Sequence, residues 1–388
     1  MMKFYSADYI LPVHAQPIRN GVVAVAPDKS IYRLYGPDHP ELAGKPVEQF
    51  RGIIVPGFIN AHCHLELSHL RGEIPRGRGL VAFISEVRQP KGSARTRLSA
   101  MEAADQEMEA NGIVAVGDHV NSTVSAAVKR HSNLYYHTFA EIICFEPDKA
   151  RLKFRESMHI CEEFEPRRSS VTPHAPYSVA KEIFRYLKAL PGDNLISIHN
   201  QETEEENEFY RYGTGRFVEF YKELGRSIEF FNARSRSSVQ SIGPLLPRDN
   251  RILFVHNTYT TPKDFNAIER LGRQVTWCFC PNANLYIENR LPRVMQFYYQ
   301  GLTVALGTDS LASNDKLCIL SELKTLHRAF PELELAKTIQ WATLNGARFL
   351  GIDHTFGTLE PGKKPGLNLI TNTHGQLLTS ESEVRKLV

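Results

Sequence analysis

Read for its apolar and polar positions, the chain of 388 residues has two β-rich ends and an alternating middle. The first fifty-odd residues are short apolar runs broken by Pro, Gly and Asp: "KFYSADYILP", "GVVAVAPDKSIYRLYG" and "VEQFRGIIVP". No helical period appears in them, and such punctuation predicts short strands and turns. The tail returns to that texture in "GTLEPGKKPGLNLITN". In the middle, apolar and β-branched runs recur eight times, as "GFINAHCH", "GIVAVGDHV", "NLYYHTFAEII", "SSVTPHAP", "NLISIHNQE", "RILFVHNT", "RQVTWCFCP" and "LTVALGTDS". Helix-like stretches lie between them: "ARTRLSAMEAADQEMEANG", "VAKEIFRYLKAL", "GTGRFVEFYKEL", "TPKDFNAIERLG" and "LPRVMQFYYQG". Several end in Gly, as helix C-caps often do. Eight strand–helix alternations predict an α/β protein, a (β/α)8 TIM-type barrel over residues 56–351. The two ends, 1–55 and 352–388, predict one small β-sandwich-like domain assembled from both termini.

Composition narrows the function classes. At 42% hydrophobic and 23% charged residues the chain reads as an ordinary globular protein. A net charge of +3, with no Lys/Arg block, gives no reason to invoke nucleic acid or a membrane surface. The start "MMKFYSADYILPVHAQ" lacks a signal-peptide core, and no apolar run approaches the ~18 residues of a membrane span. The six cysteines are scattered without a paired framework, so reduced thiols and a cytoplasmic location are expected. Cys278 and Cys280 fall in an apolar strand and read as core.

Candidate chemistry gathers where the predicted strands end. His62 and His64 lie two apart at the end of the first strand, where side chains at i and i+2 share a face. His174 ends the fourth strand, His199 the fifth, His256 the sixth and Asp309 the eighth. Barrel active sites are built at those ends. Each of these groups would cost free energy if buried alone, and a shared metal ion is the economical partner. Three imidazoles and a carboxylate suit Zn2+, with Fe2+ and Mn2+ as alternatives. The fourth strand offers no lysine to bridge a pair of ions, so one ion is expected. Glu202 follows His199 by three residues, which suits a proton shuttle better than a ligand. Glu204, Glu205 and Glu206 read as an acidic surface run.

These stretches resemble the amidohydrolase superfamily, in its branch of purine-type and triazine aminohydrolases and chlorohydrolases. The resemblance is carried by "PGFINAHCHLELS", "PHAPYSV", "HNQETEEE" and "LGTDSLASND", supported by "CPNANLY" and "ATLNGARFLGI", and it spans nearly the whole chain. It implies a metal held by His62, His64, His199 and Asp309. It further implies Glu202 as proton shuttle, His256 beside the attacking water, Asp309 as a proton acceptor, and His174 contacting substrate. One departure is the run Lys363-Lys364-Pro365-Gly366-Leu367, where members often carry Asp-Leu after the last Pro-Gly-Lys. The loop "HLELSHLRGEIPRGRGL" is richer in charge than is usual in the branch and most resembles deaminases of 6-amino-6-deoxyfutalosine.

The reaction implied is hydrolytic deamination of an aminopurine-type nucleoside, 6-amino-6-deoxyfutalosine or an S-adenosylhomocysteine-like compound, with release of ammonia. Glu66 and His69 follow the H-x-H closely enough to line the pocket mouth. Arg71, Arg76 and Arg78 lie in a Gly/Pro-punctuated loop and are read as candidates to clamp a substrate carboxylate. Glu141 is a candidate for a ribose hydroxyl, and Asn282 with Asn284 for the base. The expected partner is a small molecule, with no nucleic acid and no membrane, and a homo-oligomer is compatible with the sequence. Two competing readings remain: a hydrolase of cyclic amides or chlorinated triazines on the same scaffold, and a metal-binding scaffold without catalysis.

Overall fold

The computed structural model of this chain describes residues 1–89, 91–164 and 168–388. The protein is an α/β fold built on parallel sheets. Its central strands are β1 (Phe58–Cys63), β2 (Ile113–Val120), β3 (Tyr135–Ile142), β4 (Ser169–Pro173), β5 (Ile196–Asn200), β6 (Ile252–His256), β7 (Val275–Phe279) and β8 (Val304–Leu306). β1 to β4 form one parallel sheet in sequence order, and β5 to β8 form another. β5 and β6 are buried along their whole length, as expected of near-continuous apolar runs covered on both faces.

The two sheets touch at both edges. Thr308 N and Asp309 N both donate to His62 O at 3.1 Å, just past β8. Gly307 makes that approach feasible, because a Cβ there would sit 2.8 Å from His62 Cβ. At the other edge Ser197 N donates to Thr172 Oγ1 at 2.9 Å, and His199 N donates to His174 O at 3.0 Å. Between the strands lies a cluster of Ile59, Ala61, Phe139, Leu253, Val255, Cys278, Cys280 and Ala305. Cys278 and Cys280 are therefore core residues, and all six cysteines are free.

Three helices matter for the site: α1 (Leu80–Val87), α2 (Ala94–Ala110) and α3 (Pro281–Glu288). The Ser93 hydroxyl caps α2 by accepting from Thr96 N at 3.2 Å, and α2 buries Met101, Ala104, Asp105 and Met108. The acidic stretch after His199 is also helical, over Glu204–Tyr212, with Thr203 as its cap. Glu204 is exposed, as a surface run requires, and Glu205 is half-buried, so the surface reading is corrected at Glu206. Glu206 is fully buried and accepts from Gln201 N at 3.0 Å, and burial pushes its carboxyl up to about 7.

Both chain ends contribute to one five-stranded sheet, in which Leu367–Thr371 pairs antiparallel with Ile53–Pro56, itself parallel to Tyr9–Ile10. A four-stranded sheet lies against it, and the two share Tyr5, Ile10, Val23, Ile54, Leu359 and Leu367 in one apolar cluster. Among the described residues, no helix is long and apolar enough to cross a membrane.

Candidate active site

The C-terminal ends of the parallel strands bring six histidines together. His62 in β1 is fully buried, yet neither of its ring nitrogens has a hydrogen-bond partner. Its Nε2 lies 3.6 Å from Asp309 Oδ1, and His64 Nε2 lies 3.6 Å from the same oxygen. His64 Nε2 and His199 Nε2 face each other at 3.2 Å. His199 Nδ1 must donate to His174 O, 2.8 Å away, because a carbonyl only accepts. That bond fixes the tautomer and leaves the Nε2 lone pair turned towards His64. Burial drives His62, His64 and His256 well below the ordinary imidazole value, so they are neutral at pH 7.

Neutral imidazoles with convergent, unshared lone pairs beside a carboxylate are what a divalent cation requires. The candidate ligand atoms of His62, His199 and His256 lie within 4.8 Å of one another, as do those of His62, His64 and His119. An orphaned imidazole such as His62 is costly in a dry site, and an ion would remove that cost. The residues present therefore fit a divalent metal ion.

The backbone around the cluster is strained in the same places. Gln201, His256, Asn257 and Asp309 all take left-handed conformations, with φ between 45° and 73°, although none is glycine. Hydrogen bonds hold them there. Asn257 Nδ2 donates to Phe254 O at 2.8 Å and to Cys278 O at 3.0 Å. Asn60 Oδ1 accepts from Thr308 N at 3.0 Å, and Ser313 Oγ donates to Asp309 Oδ2 at 2.5 Å. The Asp309 carboxylate is thereby aimed with Oδ1 towards the histidines.

A cavity of about 920 Å3 opens from this cluster. His64, His174, His199, Glu202, His256 and Asp309 line it, as do Glu66, His69 and Glu141. Glu202 Oε1 lies 3.6 Å from His256 Nε2. Burial, reinforced by the nearby charges of Asp309, Glu288 and Glu206, holds the Glu202 carboxyl well above the usual range. His174 Nδ1 is 2.7 Å from Ser178 Oγ. Glu66 accepts from Ser122 Oγ at 2.8 Å and from Asn121 N at 3.1 Å.

Several expected contacts lie elsewhere. Arg71, Arg76 and Arg78 do not line the cavity. Arg71 bonds Glu107, and Arg76 bonds Asp315 while its guanidinium sits 4.4 Å above the Tyr286 ring. The reason is that their loop is fastened to α3: Gly77 N donates to Tyr286 O at 2.8 Å and Gly79 N to Ile287 O at 3.1 Å. Asn282 is also turned away from the cavity. Its Nδ2 donates to Glu322 Oε1 at 2.9 Å, and its Oδ1 accepts from Thr325 Oγ1 at 2.6 Å. Asn284 bonds Thr258 and does not reach the cavity.

One buried participant was not singled out from the sequence. His119, in β2, packs its ring 4.5 Å from that of His62. Its Nδ1 is 2.8 Å from Glu141 Oε1 and its Nε2 is 2.8 Å from Ser197 Oγ. Glu141 also accepts from Asn121 Nδ2 at 3.0 Å, so both its oxygens are engaged. The signal was a histidine near the end of "GIVAVGDHV", placed like the histidines of the other strands.

The chain is similar to several known proteins. An adenosine deaminase of Helicobacter pylori is 27% identical over 331 residues, covering 82% of this chain and 78% of the relative. A 5-methylthioadenosine/S-adenosylhomocysteine deaminase of Teredinibacter turnerae is 27% identical over 363 residues, covering 87% of this chain and 75% of the relative. The crystal structure of Helicobacter pylori aminofutalosine deaminase in complex with methylthio-coformycin superposes with a TM-score of 0.77 at 21% identity, covering 97% of this chain and 93% of that one. That likeness identifies a TIM-barrel-type fold. The amidohydrolase family profile matches residues 53–387. From the first strand that carries ligand-type histidines to the last residues of the terminal sheet, the chain belongs to the amidohydrolase family and is a hydrolytic enzyme acting on carbon–nitrogen bonds.

Proposed function

We propose that this enzyme is a metal-dependent deaminase of a 6-aminopurine nucleoside, with 6-amino-6-deoxyfutalosine and S-adenosylhomocysteine as its leading substrates. The observation that carries the reading is the pairing of two sets of groups at one cavity. Neutral imidazoles meet at the Asp309 carboxylate, and Glu202, whose carboxyl burial holds well above its usual range, stands 3.6 Å from His256. The purine nucleosides in the names of the relatives support the same substrate class.

His62, His64, His199 and Asp309 would hold one divalent ion, with Zn2+ the best match to this donor set. When bound, the ion supplies Lewis acidity that makes water nucleophilic near neutral pH. The chain's own groups then handle protons and position. Glu202 gives its proton to the ring nitrogen beside C6, which makes that carbon electrophilic. Asp309 accepts a proton from the attacking water and His256 orients the water. Asp309 hands the water's proton to the departing amino group while the Glu202 carboxylate takes up the proton of the new C6 hydroxyl, so C–N cleavage yields ammonia and a C6 carbonyl with both groups back in their starting states. His174 donates to the substrate, and Glu66 faces the sugar. Strands β1 to β8 are read as a closed (β/α)8 barrel over 56–351, with 1–55 and 352–388 as one composite β-domain.

The test is ammonia release from adenosine, 5′-methylthioadenosine, S-adenosylhomocysteine and aminofutalosine, with cyclic amides and chlorotriazines as comparators. Preferential turnover of a 6-aminopurine nucleoside supports the reading. Hydrolysis confined to cyclic amides or chlorotriazines overturns it.

A further inference from the structure

The cavity wall built by α1 and α2 is both apolar and cationic. Leu80, Phe83, Ile84 and Val87 recur at helical spacing on α1 and line it with apolar surface. The same lining carries cations, with Arg88 at the end of α1, Lys91 between the two helices and Arg97 in the first turn of α2, beside the apolar Ala94, Leu98 and Met101. Arg226 lines the cavity as well. Two of these four cations are already neutralised: Lys91 Nζ is 3.6 Å from Glu86 Oε2, and Arg226 is 3.4 Å from Glu146 Oε2. Arg88 and Arg97 have no carboxylate partner among the described residues. Both act on lining residues, since the charge of Arg88 is felt at Tyr221 and that of Arg97 at His69.

We infer that Arg88 and Arg97 form an anion subsite that reads a carboxylate at the far end of the substrate's 5′ substituent, behind an apolar segment held by Phe83, Ile84 and Val87. The inference rests on the nucleoside-deaminase reading and deepens it. The volume supports it, because about 920 Å3 exceeds what an unsubstituted nucleoside fills. An aryl or alkyl group ending in a carboxylate matches a wall that offers both apolar side chains and unpaired guanidiniums. Arginine presents paired donors to a carboxylate, so two unpaired guanidiniums at one wall give affinity and orientation together. These residues replace Arg76 and Arg78 in that role, because the loop carrying the latter is fastened to α3.

The experiment measures kcat/KM and equilibrium affinity for aminofutalosine, its primary carboxamide and adenosine 5′-monophosphate. The enzymes are the metal-loaded wild type, the Arg88→Ala/Arg97→Ala double variant and Arg76→Ala. The readout is the carboxylate-to-carboxamide ratio. In the wild type the ratio should be roughly 10- to 100-fold, expressed mainly in KM and matched in affinity. It should fall to about one in the double variant and persist in Arg76→Ala. A wild-type ratio near one, or a ratio unchanged in the double variant, overturns the subsite. Preference for the monophosphate overturns the carboxylate class. Absence of ammonia from every nucleoside, with the affinity ratio intact in the wild type and lost in the double variant, keeps the subsite and removes the deaminase reading.

Discussion

The two ends of the cavity are built differently. At the inner end, most chemically capable side chains sit at or just past the end of a parallel strand and are buried, with His174 and Glu66 half-buried. Asp309 is held by Ser313, His199 by the His174 carbonyl, and Glu66 by Asn121 and Ser122. At the outer end the wall is helical, and Arg88 and Arg97 are exposed and unpaired. The difference assigns separate tasks. Reaction chemistry needs groups fixed within a fraction of an ångström, which strand ends and buried hydrogen bonds provide. Choice among substrates needs reach and adaptability, which long side chains on a helical wall provide.

Substitutions can break this contrast, and the inner end should respond most. His199→Ala removes an imidazole whose lone pair is already aimed by its own hydrogen bond. The purified variant should lose the divalent ion, measurable by elemental analysis, and turnover should fall to background. Glu202→Gln keeps the shape and cannot carry the proton. Its ion content should match wild type while kcat falls by roughly 10²–10⁴. Ser313→Ala leaves Asp309 in place and removes the hydroxyl that aims it. A loss of roughly 10- to 100-fold in ion affinity, read by competition with a chelating dye, is expected, with little change in thermal midpoint. Arg76→Ala, at the outer loop, should be the quietest. Its ion pair with Asp315 is exposed on both sides, and such pairs contribute about 0–1 kcal/mol. A large effect of Arg76→Ala on substrate choice would collapse the distinction between the loop and the α1–α2 wall.

The same contrast governs what could be read from sequence. Strand ends were legible because a buried parallel strand leaves a continuous apolar run, and a histidine or aspartate at its end stands out. His62, His64, His174, His199, His256 and Asp309 are all visible in this way. His119 has the same setting, one residue before the end of its strand, and carries the same signal. In the acidic run, charge indicates exposure correctly at Glu204 and wrongly at Glu206. Thr203 starts a helix there, and its buried face carries Glu206. The arginine loop failed for a different reason. Nothing in "RGEIPRGRG" says which neighbour it packs against, and that is decided by backbone bonds to α3, more than 200 residues away in the chain. Arg88 and Arg97 stayed silent for the matching reason: an arginine beside a helix end looks the same whether it faces water or a cavity.

The central claim, that a bound divalent ion and Glu202 together drive hydrolysis of a purine C–N bond, is tested most directly by ammonia release from aminofutalosine before and after chelation. The account predicts that chelated enzyme is inactive while folded, and that adding back about one equivalent of Zn2+ per chain restores turnover. Full turnover by the metal-free enzyme, or none at any level of Zn2+, Fe2+ or Mn2+, would contradict it.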